Sequence, residues 1–247
     1  VAGPVIPSGS RVWSGRRTAS LSLPLGGTVD MNAAASIPIT LIWVVDIVNI
    51  LNFIDGMDGL AAGVCTIAAG TFAIIALSMG RVEAGILAAI LAGTTLGFLR
   101  HNFFPASIFM GDSGSMLLGF ILAAVTVNGV LKSVAAVTLI IPLLIMGVPM
   151  FDLSLTIMRR IKNRQNIFQP DRGHLHHRLF NIGFSQRKAV LVLYAWCSLM
   201  SSLALSMRFA PGFVTVILAG VVIAVSLYLG YLVDILQVRS RRGIDTR

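Results

Sequence analysis

With 247 residues, 56% hydrophobic and only 12% charged, and a mean hydropathy of +0.87, the chain is too apolar for a soluble domain, in which about a quarter of residues carry charge. Its apolar runs reach the roughly 20 residues that a helix needs to cross a bilayer, and no ten-residue alternation suits a membrane barrel, so the expected fold is all-α, a polytopic transmembrane helical bundle of about seven spans. The net charge of +9 lies largely in segments between spans and has no aromatic interleaving, which excludes nucleic acid as a partner and points to membrane lipid.

In chain order, residues 1–36 read as an N-terminal remnant, expected to be external. Within them LPLGGTVDMNAAASIP suits a hairpin with Gly26 and Gly27 as turn residues, although the three arginines of RVWSGRR run against the positive-inside trend on that side. Residues 37–247 form the transmembrane domain, with spans expected near 37–54, 59–79, 84–99, 114–131, 134–157, 188–206 and 211–233. Between the fifth and sixth spans lie Arg159, Arg160, Lys162, Arg164, Arg172, Arg178, Arg187 and Lys188 against the single acid Asp171, and the tail carries Arg239, Arg241, Arg242 and Arg247. Both segments should therefore be cytoplasmic. Counting back from them places loops near 53–59, 100–113 and 158–188 on the cytoplasmic side and leaves short external turns at 80–83 and 131–133. Cys65 and Cys197 fall inside spans and read as small packing residues.

The polar residues collect in those cytoplasmic stretches. In NILNFIDGMDG, Asn49, Asn52 and Asp55 recur at three-residue spacing with Asp58 one turn on, a stripe of oxygen ligands suited to a hard cation or to the donors of a nucleotide. Gly56 and Gly59 invite a break in the helix there; the alternative is a helix end whose polar side chains satisfy free backbone groups. In HNFFPASIFMGDSGS, Asp112 opens the next span, where with Ser115 it suits an N-cap, a magnesium ligand, or both. In DRGHLHHRL, His174, His176 and His177 stand among Arg172 and Arg178; zinc fits this spacing less well than a clamp on pyrophosphate oxygens. Asp46 and Asn128 read as interhelical bonding groups, and Asp152 as either a supporting or a packing residue.

Taken together, NxxNxxDGxDGLAxG, NxxPAxxFMGDxGSxxLG and the histidine loop resemble the polyprenyl-phosphate N-acetylhexosamine-1-phosphate transferases, glycosyltransferase family 4, over residues 37–190. The loop PDRGHLHHRL follows the D-R-x-H-[IL]-H-H pattern of the UDP-GlcNAc branch, not the three consecutive histidines of the enzyme that makes lipid I. The resemblance implies transfer of GlcNAc-1-phosphate from UDP-GlcNAc to polyprenyl phosphate with release of UMP, in a bacterial inner membrane, with the active site cytoplasmic and magnesium, or alternatively manganese, as cofactor. It assigns Asp112, with Asn52, to the metal, and Asp112, Asp55, Asp58 and His174 to catalysis. Substrate binding falls to Asn49, Asp55, Asp58, Asn102, Phe109, Arg172, His174, His176 and His177. Expected partners are UDP-GlcNAc, polyprenyl phosphate and membrane lipid, with a homodimer left open.

The sequence departs from that family at one point: the adjacent Asp-Asp pair that the family carries in an earlier cytoplasmic loop occurs nowhere here. With no Met at position 1, the expectation is an N-terminally truncated chain, and a catalytically inactive fragment is one alternative reading. The lipid I synthase type of transferase and, more distantly, a transporter are the others.

Overall fold

The computed structural model describes residues 20–23, 27–30, 33–127 and 184–209, together with scattered helical positions between 213 and 225. A short antiparallel ribbon comes first: β1 (Ser20–Leu23) pairs with β2 (Gly27–Asp30) in the register Ser20 to Asp30 and Leu23 to Gly27. The hairpin is present, but Gly27 belongs to its second strand and not to the turn, because its backbone is taken up in pairing with Leu23.

Five helices follow: α1 (Ala33–Ile54), α2 (Leu60–Ser78), α3 (Val82–Asn102), α4 (Gly111–Val125) and α5 (Gln186–Phe209). Four of them contain stretches long and apolar enough to cross a membrane, at 37–54, 60–78, 82–102 and 186–206, while α4 is shorter. The chain is thus a membrane protein with an α-helical body. The spans expected at 134–157 and, scattered positions aside, at 211–233 lie outside the described residues, as does Asn128.

Composition decides which helix is central. The first half of α2, LAAGVCTIAAG, is built almost wholly of small side chains, so neighbouring backbones can come close from several sides. Buried residues make up 72% of the α2 span, against 22% for that of α1 and 28% for that of α3. α2 packs on α3 and α5, and α1 packs on α4. The core runs from Ile47, Ile50 and Leu51 of α1 through Leu60, Phe72 and Ile75 of α2 to Leu122 of α4 and Trp196 and Met200 of α5. Cys65 and Cys197 both sit in it, as packing residues should.

Among the described residues, hydroxyls in such a layer find partners mainly on the helices themselves, the buried Ser201 Oγ being an exception. Thr66 and Thr71 donate to the carbonyls of Ala62 and Ile67 one turn back, and Thr66 also reaches Thr95 Oγ1 of α3 at 2.8 Å. Trp43 Nε1 donates to Thr126 Oγ1 at 2.8 Å, linking α1 to the end of α4. Asp46, expected to make an interhelical bond, is instead exposed on α1: its position faces away from the stripe of Ile47, Ile50 and Leu51 that meets the core.

The contact between α1 and α4 is close enough to demand glycine. A Cβ at Gly119 would stand 2.7 Å from Val48 Cα and 3.2 Å from Ile47 O, both backbone atoms that cannot turn aside. Gly93 on α3 has nothing within 4 Å of the same construction. Gly119→Ala should therefore destabilise the detergent-solubilised protein by about 1–3 kcal/mol, the usual range for overpacking, while Gly93→Ala leaves the melting temperature unchanged or slightly raised. Thermal melts of the two variants beside the parent check this.

Candidate functional site

The polar stretches meet at one end of the bundle. α1 ends at Ile54, the turn 55–59 leads into α2, the loop 103–110 joins α3 to α4, and α5 begins at Gln186, and side chains tie these segments together. The helix break foreseen at Gly56 and Gly59 is there. Gly59 has φ +81°, a left-handed conformation that a side chain would strain, and it directs the chain into α2. Met57 points into the core with 5% of its surface exposed, so the turn is held from below by an apolar anchor while Asp55 and Asp58 are half-buried.

The first cluster joins α1 to α4. Asn52 Nδ2 donates to Ser115 Oγ at 3.1 Å and to Asp112 Oδ1 at 3.3 Å, across about sixty residues of sequence. Ser115, fully buried, in turn donates to the Asp112 carbonyl at 3.1 Å. Asp112 is exposed in the first turn of α4 and is not its cap: the helix starts one residue earlier, at Gly111 with φ +68°, and the preceding Met110 makes no side-chain capping bond. The N-cap expectation for Asp112 therefore fails, and the carboxylate accepts from Asn52 instead. Asp55, half-buried, has its pKa raised to about 6, first by burial and then by the nearby charge of Asp112. A carboxyl held back from ionising by burial and by a neighbouring carboxylate is one that a bound cation would relieve.

The second cluster joins the 55–59 turn to the loop. Asn102, the last residue of α3 and only 3% exposed, accepts from the Gly59 N–H at 3.0 Å and donates to the Ile108 carbonyl at 2.9 Å. Asp58 Oδ2 accepts from the Ala106 N–H at 3.0 Å. Within the loop, the His101 carbonyl receives Ser107 N–H at 2.8 Å and Ser107 Oγ at 3.0 Å. This frame leaves Phe109 with 74% of its surface exposed, a flat aromatic face held outward. Asn49 is exposed on α1, one turn before Asn52.

α5 closes the arrangement from the other side. Arg187 Nε donates to the Phe104 carbonyl at 3.1 Å, and its guanidinium lies over the Phe104 ring at 5.8 Å. Tyr194 donates its hydroxyl to the Gly59 carbonyl. Arg187 and Lys188, expected in the loop, lie in the first turns of α5, because this helix extends to Gln186. Arg172, His174, His176 and His177 lie outside the described residues.

The donor set suits a hard cation. Asp55, Asp112, Asn52 and Ser115 offer oxygens only, and Asn52 can present its carbonyl oxygen by a half-turn of the amide. Among the described residues no three His, Cys, Asp or Glu side chains gather as metal ligands. Magnesium nonetheless fits, since it is ordinarily held by one or two carboxylates and completed by phosphate and water.

Sequence reasoning placed Asn52, Asp55, Asp58, Asn102 and Asp112 here but assigned nothing to Ser115 beyond a cap, and nothing to Arg187 or Tyr194. A tyrosine and an arginine seven residues apart on one apolar helix were the available signal, since that spacing puts both on one face.

The description Glycosyl transferase family 4 matches residues 5–130, just over half of the chain. The probable undecaprenyl-phosphate N-acetylglucosaminyl 1-phosphate transferase of Bacillus subtilis is 45% identical over 157 residues, covering 64% of this chain and 44% of that protein. The decaprenyl-phosphate N-acetylglucosaminephosphotransferase of Mycobacterium tuberculosis is 38% identical over 244 residues, 90% of this chain and 60% of its own length. A phospho-N-acetylmuramoyl-pentapeptide-transferase of Alkaliphilus metalliredigens is 38% identical over 138 residues, covering 55% and 39%. The chain thus spans about half the length of the curated relatives it matches. A match over that share of the chain makes it a member of glycosyl transferase family 4.

Proposed function

We propose that the protein transfers GlcNAc-1-phosphate from UDP-GlcNAc to polyprenyl phosphate and releases UMP, at the cytoplasmic face of a bacterial plasma membrane. The observation that carries this is the meeting of Asn52, Asp55 and Asp112 at one end of a membrane bundle whose matched relatives include N-acetylglucosamine phosphotransferases. The loop DRGHLHHRL favours the GlcNAc branch over the pentapeptide transferases, which also match. The basic segment at 159–188 favours the cytoplasmic side.

In this reading an oxygen of the lipid phosphate attacks the phosphorus that bears GlcNAc. The bond from that phosphorus to the bridging oxygen breaks, and UMP leaves with the oxygen. Magnesium, when bound, supplies charge neutralisation at the pyrophosphate. Asp112 and Asp55, with Asn52, hold that ion, and Ser115 fixes Asn52 and Asp112 relative to each other. Phe109 offers its exposed ring to the uracil, while Asp58 and Asn102 hold the loop that presents it. Arg172, His174, His176 and His177 supply the positive clamp on the phosphates. The family's Asp-Asp pair has no counterpart in these 247 residues, so nothing in this chain is assigned to deprotonating the lipid phosphate.

Transfer of radiolabelled GlcNAc-1-phosphate to polyprenyl phosphate, in membranes bearing the protein and with magnesium or EDTA, tests the reading. Label entering lipid only with magnesium is the expected result, and its absence in both conditions would overturn it. Asp112→Asn should lower the transfer rate at least ~100-fold, in line with the loss of a central electrostatic group, with membrane insertion unchanged. Undiminished turnover removes Asp112 from the metal site.

Asp55 predicts a pH effect that needs no turnover. Its carboxyl titrates near 6 in the folded, metal-free protein against an ordinary 3.8, so the fold holds that proton more tightly than the unfolded chain does. Stability from this group is present below the ordinary value and is lost as pH rises through 6. In EDTA the melting temperature should fall between those values, and Asp55→Asn should flatten the slope. Magnesium at pH 7 should raise the melting temperature of the parent more than that of Asp55→Asn.

A further inference from the structure

Gly59 has both of its backbone polar groups held by side chains from other helices. Its N–H goes to Asn102 of α3 at 3.0 Å, and its carbonyl takes the Tyr194 hydroxyl of α5 as well as the Gly63 N–H of its own helix at 2.9 Å. Asp58 stands one residue earlier, with its carboxylate on the Ala106 N–H of the 103–110 loop. The peptide units on the two sides of Gly59 are thus each held from another helix, which limits how the neighbouring Asp58 can turn and, through Asp58, where the loop bearing Phe109 sits.

The place of the tyrosine ring is built into α2. A Cβ on Gly63 would run into the ring carbons and hydroxyl of Tyr194, so the missing side chain is the notch through which α5 reaches Gly59. A second hydrogen bond from an aromatic side chain among the described residues, Trp43 to Thr126, joins the far part of α4 to α1 and touches none of these groups.

We propose that Tyr194 is a positioning residue for the nucleotide sugar: seated in the Gly63 notch, it fixes the carbonyl of Gly59 and, together with Asn102 on the Gly59 N–H, holds Asp58 and the Phe109 loop in register. This rests on the UDP-GlcNAc reading above for the identity of the ligand, but the positioning itself is a property of the fold. Tyr194→Phe keeps the ring and removes only the hydroxyl. It should raise the KM for UDP-GlcNAc about fivefold, as loss of one hydrogen bond implies, with kcat and the KM for polyprenyl phosphate within about twofold. Gly63→Ala, which displaces the ring, should reproduce the effect, and the double variant should be no worse than the stronger single one because both act on one bond.

Hydrogen exchange of the amides at 55–60 supplies the arm that needs no substrate. Tyr194→Phe should speed it several-fold, and Trp43→Phe, which loses a bond elsewhere in the bundle, should lower the melting temperature without changing it. Unchanged exchange in Tyr194→Phe overturns the proposal, as does a loss that falls equally on both substrates. A parent protein that turns over no UDP-GlcNAc refutes the functional reading alone, and exchange at Gly59 then decides the role of Tyr194.

Discussion

A turn of backbone at the edge of a hydrocarbon layer must have its N–H and C=O groups satisfied by the protein itself, and Gly59 is where this chain meets that requirement. Breaking the helix between α1 and α2 frees polar backbone next to apolar core; the Gly63 N–H takes part of it up, and the bonds from elsewhere come from Asn102 and Tyr194, 43 and 135 residues away in sequence. Those two side chains thereby join three helices at one point. The acidic turn, the loop behind Phe109 and the first turns of α5 all take their positions from that junction.

Around it the molecule divides its labour by side-chain size and charge. Alanine and glycine let α2 serve as the buried axis, threonine hydroxyls return to their own helix, and Asp55, Asp58, Asp112 and Arg187 lie at one end of the bundle. Asp55 lies near enough to Asp112 to feel its charge, and neither carboxylate has a basic partner among the described residues.

Much of this was legible in the sequence because it depends on local spacing. The three-residue interval from Asn49 to Asp58, the Gly56 and Gly59 break, and the positions of α1 to α3 and α5 follow from periodicity and hydropathy within single segments. Counting basic loops also brought Asp55 and Asp112 to one face correctly. What escaped was set by contacts across helices. Asp112 has the composition of an N-cap, yet the helix began earlier at Gly111, and its carboxylate met Asn52 instead. Asp46 looked like an interhelical group but fell on the outer side of α1. Tyr194 escaped because its spacing from Arg187 marks a shared helix face but does not say which carbonyl of another segment that face meets.

Both cysteines of the chain, Cys65 and Cys197, are buried in the helical core, so its exposed end carries no thiol of its own. A single cysteine introduced at Ile108, an exposed position beside Phe109, would then be the accessible nucleophile for a fluorophore or spin label. The loop could be followed spectroscopically as ligands arrive, in the otherwise native chain and without first stripping out background residues.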